Sequence, residues 1–156
     1  MRPEETVCFN IKSSWHAISK MYNMLGLDHE LSSAVGFVLL NIDPKDGSPA
    51  TKIAPIMGME AGSLSRILKS LEERGWIKRV ADKLDKRMVR IVLTKLGLEK
   101  RELSKKVVVY FNLFVKEEIG KEKLNIFFEV IDKINNVAKD QKQMLVKNLA
   151  KYENLK

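Results

Sequence analysis

Apolar residues recur at helical spacing along most of this chain. Val7, Ile11, Trp15, Ile18, Tyr22 and Leu25 advance by three or four residues, which predicts an amphipathic helix ended by Gly26 and the polar run Asp28-His29-Glu30. A second helix is expected from about Ser32 to Ile42, with Ser32 or Ser33 as cap and Val35, Val38, Leu39 and Ile42 on one face. Residues 43–49 read as a turn-rich connection. Ala50–Met57 and Ala61–Arg74 then form two short helices joined by a tight turn at Gly58, the second stopped by Gly75. In that second helix Leu64, Ile67, Leu68 and Leu71 share a face, while Gly62, Arg66, Lys69 and Glu73 lie opposite, flanked by Ser63 and Ser65.

Past Gly75 the period becomes two. Val89, Ile91 and Leu93 alternate with Met88, Arg90 and Val92, so Trp76–Ala81 and Arg87–Thr94 are expected to form a hairpin around residues 82–86. Helical spacing resumes from Lys95 to about Glu118, with Thr94 as cap and Gly120 as break, and a last helix is expected to about Tyr152. Residues 107–115 are apolar around nearly the whole helical circumference and must be covered on several sides. The last helix carries a matching stripe at Leu124, Phe127, Phe128, Ile131, Ile134, Ala138, Leu145 and Leu149. A second copy of the chain is the simplest cover, so a homodimer built from terminal helices is expected.

Composition sharpens this picture. The 156 residues are 45% hydrophobic and 31% charged, enough for one folded domain with a core of its own. The formal charge is +8, and it is unevenly placed: residues 62–101 hold twelve basic and five acidic side chains. A polyanion is the natural partner of that quarter of the chain. Cys8 is the single cysteine and His16 and His29 lie on separate segments, so neither a disulfide framework nor a metal or other cofactor is expected. The acidic start and the lack of an apolar run of roughly 20 residues predict a cytoplasmic protein outside the membrane. No phosphate loop, nucleophile elbow or HExxH occurs, and no enzyme is expected.

Helix, turn, helix and basic hairpin, in that order, describe a mostly α winged helix-turn-helix with a two- or three-stranded wing. A helix fits the major groove, and the small start Ala61-Gly62-Ser63 lets its N-terminus come close to a duplex. Arg66 suits bidentate bonding to guanine, Ser63 and Ser65 suit base edges or phosphates, and Lys69 suits phosphate. At the hairpin tip Lys86 adds charge, and Arg87 suits a narrow minor groove.

The run Gly58-Met59-Glu60-Ala61-Gly62-Ser63-Leu64-Ser65-Arg66-Ile67-Leu68-Lys69-Ser70-Leu71-Glu72-Glu73-Arg74-Gly75-Trp76-Ile77 resembles the recognition-helix segment of the multiple-antibiotic-resistance regulator (MarR) family. Residues 82–97, with Asp85-Lys86-Arg87 and Leu93-Thr94-Lys95-Leu96-Gly97, are similar to its wing and the start of its next helix. The resemblance implies a single domain over 1–156, with a DNA-binding lobe at 31–95 and a helical dimerisation region at 1–30 and 96–156. It implies a dimeric bacterial or archaeal transcription factor, commonly a repressor, that binds a pseudo-palindromic operator in double-stranded DNA. Its affinity would fall when a small-molecule effector or an oxidant acts near the dimer interface. Carried over by position, Ser63, Ser65 and Arg66 become major-groove contacts, Arg87 the minor-groove arginine and Asp85 its orienting partner. Glu60 and Gly62 depart from the small hydroxyl residues common there.

By the same resemblance Trp15, His16, Tyr22, Phe37, Phe111 and Phe114 are candidates to line an effector pocket. Cys8, with Tyr22 fourteen residues on, resembles the cysteine of the organic-peroxide-sensing branch, although Lys12 stands where that branch carries a tyrosine. Redox sensing through Cys8 is one alternative. A winged-helix module that binds an acidic protein is another, and a non-specific architectural DNA-binding protein is a third.

Overall fold

Three hydroxyl side chains start three of the helices in the computed structural model, which describes residues 1–82, 85–140 and 148. Thr6 accepts the Phe9 N–H at 3.3 Å and opens α1 (Val7–Gly26). Ser32 accepts the Val35 N–H at 3.2 Å and opens α2 (Ser33–Leu40). Thr94 accepts the Gly97 N–H at 3.1 Å at the head of α5 (Lys95–Ile119). Each bond satisfies a donor that the first helical turn leaves unpaired.

Between α2 and α5 lie β1 (Ser48–Pro49), α3 (Ala50–Ile56), α4 (Ala61–Glu73), β2 (Ile77–Ala81) and β3 (Val89–Leu93). The three strands form an antiparallel sheet in the order β1-β3-β2, with Ile91 facing Ser48 on one side and Arg79 on the other. The turn-rich connection expected at residues 43–49 thus ends in a strand, placed by its pairing with β3. Two residues are too few to display a period. The long strands are shorter than the spacing suggests because Trp76 goes into the core and Thr94 is spent as a cap.

The core gathers Leu31, Val38, Leu39, Ile42, Ile53, Leu64, Leu68, Leu71, Trp76, Ile77, Ile91 and Leu93 from α2, α3, α4 and the sheet. The helical period of α4 and the two-residue period of β3 therefore bury their apolar faces against one another. Gly97 fits closely beneath this core, where a Cβ would lie 1.9 Å from the Trp76 carbonyl oxygen.

By packing, the chain divides into a unit Met1–Val109, which holds the winged helix with α1, and a unit Tyr110–Lys156. In the second unit α6 (Lys121–Asp140) follows Gly120, whose φ of +87° suits a residue without a side chain. Tyr110, Leu113 and Phe114 of α5 and Phe127 and Phe128 of α6 are exposed in the single chain. Leu145, Leu149 and the continuation toward Tyr152 lie outside the described residues. Among the described residues no helix is long and apolar enough to cross a membrane.

Candidate nucleic-acid interface

The α4 helix separates its two faces cleanly. Leu64, Leu68 and Leu71 are buried, whereas Ser65, Arg66 and Lys69 are exposed and Ser63 is half-buried. Ser65 Oγ donates to the Ala61 carbonyl at 2.9 Å, a local bond that a stronger acceptor can replace. Arg66 Nε reaches the Gly62 carbonyl only at 3.4 Å, and Lys69 Nζ lies 3.9 Å from Glu73. Both cations are weakly held and face solvent. At the head of the helix no side chain caps Glu60's position, and a Cβ on Gly62 would meet nothing within 4 Å. The approach to this helix end is open.

The wing tip is held by its own carboxylates. The Asp82 N–H donates to the Met88 carbonyl at 2.9 Å and the Met88 N–H to the Asp85 carbonyl at 2.9 Å. Asp82 Oδ1 accepts the Asp85 N–H at 3.3 Å, and Asp85 Oδ1 accepts the Arg87 N–H at 3.0 Å. Asp85 thus fixes Arg87 through its backbone, not through the guanidinium, and the side chains of Lys86 and Arg87 are left exposed.

Not all of the positive charge faces outward. Arg79 Nε bonds Glu72 at 3.0 Å, and Arg90 pairs with the buried Asp82 at 2.7 Å. Arg74 donates to the Glu30 carbonyl at 3.0 Å and Lys100 to the His29 carbonyl at 3.1 Å, and both cations lie over the Trp76 ring at 5.3 and 5.0 Å. Arg101 pairs with Glu102 at 3.1 Å. Among the described residues of the basic stretch 62–101, Lys78, Lys86, Arg87 and Lys95 are exposed without an ion pair, and with Arg66 and Lys69 they make up the cationic set available there. Counting charge along the sequence could not make this distinction. The Asp82–Arg90 pair was equally hidden, because it spans eight residues across a hairpin whose register the sequence leaves open.

Phe37 is the centre of the aromatic group on the first unit, its ring 5.6 Å from Trp15 and 5.8 Å from Tyr22. It lines two hollows. A groove of about 390 Å³ runs along Trp15, Ser19, Phe37, Ile56, Met57 and Met59, and a small cavity of about 40 Å³ lies among Tyr22, His29, Phe37, Leu103 and Ser104. Burial raises the Tyr22 phenol above its ordinary range. His16 is exposed beside Phe9, Lys12 and Trp15. Phe111 and Phe114 belong to the second unit, where Phe114 borders a shallow depression with Tyr110, Leu113, Lys116 and Glu117. Cys8 is exposed in the first turn of α1. No group of three metal-ligating side chains occurs among the described residues.

Known proteins share this fold. The family model described as "MarR family" matches residues 31–89, from just before α2 to the first residue of β3. The HTH-type transcriptional regulator TtmR of Methylorubrum extorquens is 32% identical over 94 residues, 60% of this chain and 48% of its own, so the chain spans about half the length of that relative. The HTH-type transcriptional regulator SarZ of Staphylococcus saprophyticus is 30% identical over 129 residues, 80% of this chain and 88% of its own. Among solved structures, the S. aureus MepR–DNA complex superposes with a TM-score of 0.78 at 18% identity, over 86% of this chain and 99% of that one, a likeness of fold. With a family model on the winged helix and a relative matched over most of its length, the chain belongs to the MarR family.

Proposed function

We propose that this chain is a sequence-specific regulator of transcription that binds double-stranded DNA. The observation that carries the reading is the division of α4, whose leucines are buried while Ser65, Arg66 and Lys69 are exposed beside a wing that presents Lys86 and Arg87. A helix of that kind supplies direct readout from the major groove, and a wing arginine supplies readout of groove width. The relatives TtmR and SarZ, named as transcriptional regulators, support the same reading.

The regulator acts as a homodimer on a pseudo-palindromic operator, with half-sites about one helical turn apart. The uncovered Tyr110, Leu113, Phe114, Phe127 and Phe128 support the second copy, since a monomer seldom leaves so much aromatic surface in water. The groove beside Trp15 and Phe37, at about 390 Å³, has the size of a small-molecule site. An effector there would release DNA by favouring a dimer whose two α4 helices no longer match the half-sites. Repression relieved in this way is the proposed mode, in the cytoplasm where the DNA is.

Fluorescence-anisotropy titration at several salt concentrations, against a duplex selected by the full chain and a scrambled duplex, tests the reading. Tighter binding to the selected duplex by about a thousandfold is expected. Equal and steeply salt-dependent binding would instead mark an architectural protein, and no binding at low salt would turn attention to an acidic protein partner.

A further inference from the structure

Arg90 belongs to the basic quarter of the chain, yet its guanidinium points into the wing. Nε and Nη2 meet Asp82 Oδ2 at 2.8 and 2.7 Å, and Nη1 donates to the carbonyls of Asp46 and Gly47 at 3.2 and 3.0 Å. The Asp82 side chain is 7% exposed, so its charge needs this partner. Gly47, at φ +67°, lets the 46–47 backbone approach β3, because a Cβ there would lie 2.4 Å from the Ile91 carbonyl oxygen. Arg90 therefore joins the approach to β1, the strand β3 and the loop at Asp82. With each guanidinium nitrogen engaged, it has no fork to offer a phosphate.

From Asp82 the connection runs on to the tip. Asp82 Oδ1 holds the Asp85 N–H, and Asp85 Oδ1 holds the Arg87 N–H. An unbroken path of hydrogen bonds thus leads from the Arg90 guanidinium to the backbone of the exposed Arg87. We propose that Arg90 is a positioning residue for DNA binding: through Asp82 and Asp85 it fixes the wing turn from which Arg87 enters the minor groove, and it touches no DNA itself. The proposal rests on the DNA-binding reading above.

Arg90→Lys provides the test because it keeps the positive charge and removes the planar fork, so the long-range attraction to DNA is unchanged. Binding of the full chain is measured on a duplex of about 30 bp that it selects from a randomised pool, in the presence and absence of Arg87→Ala. Arg90→Lys is expected to weaken binding by about tenfold alone and by less than about twofold in the Arg87→Ala background. Asp85→Ala, which cuts the path and leaves the buried pair intact, is expected to behave alike. Hydrogen exchange at the Asp85 and Arg87 amides should quicken in Arg90→Lys while that of α4 stays unchanged. A loss that persists undiminished in the Arg87→Ala background, an unchanged affinity, or unchanged exchange at the tip would each overturn the proposal. Failure of the unmodified protein to select any duplex would overturn the DNA-binding reading, a result recognisably different from these.

Discussion

Arg79 Nε lies 3.0 Å from Glu72 Oε2, joining β2 to the last turn of α4. Both side chains are well exposed, at 39% and 43%, so water screens the pair. Glu72→Gln should therefore lower stability by less than about 1 kcal/mol in urea unfolding. A larger loss would show that the pair, and not the shared core of Leu71 and Ile77, holds the wing to α4.

Arg66 and Lys69 occupy the same exposed face and should differ in kind. Arg66→Ala is expected to cost about 1–3 kcal/mol on the selected duplex and to loosen sequence preference. Lys69→Ala should weaken all duplexes alike and reduce the salt slope by about one. Equal losses on selected and scrambled DNA for Arg66→Ala would remove it from base reading.

Gly62 separates stability from binding. The space around it is open and its backbone is helical, so Gly62→Ala should leave the melting temperature unchanged or raised. The added methyl would stand between the helix end and a duplex, and affinity for DNA should fall. Unaltered affinity would mean that this helix end keeps its distance from the backbone of the DNA.

Gly97 is the opposite case, because a Cβ there would lie 1.9 Å from the Trp76 carbonyl oxygen. Gly97→Ala must push α5 away from the Trp76 backbone just before β2, at a cost of about 3 kcal/mol. Chemical denaturation measures it, and a loss below about 1 kcal/mol would mean that the junction yields easily.

Asp43 ties the approach to the sheet to pH. The Asp46 N–H, and after it the Lys45 N–H, bond its carboxylate and hold its pKa below the ordinary range. A depressed pKa in the folded state stabilises above the unfolded pKa and is lost as pH falls through the folded one. Asp43→Asn should thus melt below the unmodified protein near neutral pH, and the gap should close in acid. A gap independent of pH would assign the effect to shape and not to charge.

The parts of this fold that were legible in the sequence are those written in local period. Leu64, Leu68 and Leu71 mark the buried face of α4, Thr94 marks the start of α5, and Gly75 and Gly120 mark ends. What escaped depends on distant partners. Ser48 and Pro49 become a strand only because β3 lies beside them, and Arg90 leaves the available charge only because Asp82 is brought within reach. Asp85, expected beside Arg87 at the tip, accepts the Arg87 backbone N–H, a contact that depends on the local turn. Two of the aromatic candidates, Trp15 and Tyr22, do meet Phe37, whereas His16 stands apart in solvent.

The two faces of α4 carry different obligations. The core needs Leu64, Leu68 and Leu71 but draws little from Ser65, Arg66 or Lys69, and exposed substitutions of that sort typically shift stability by no more than about 0.5 kcal/mol. The exposed positions are thus open to drift. On the DNA-binding reading proposed above, a lineage could acquire a new operator by successive changes on one helix surface, each intermediate remaining folded, and the same freedom would make these three positions the place to redirect the protein to a chosen DNA sequence.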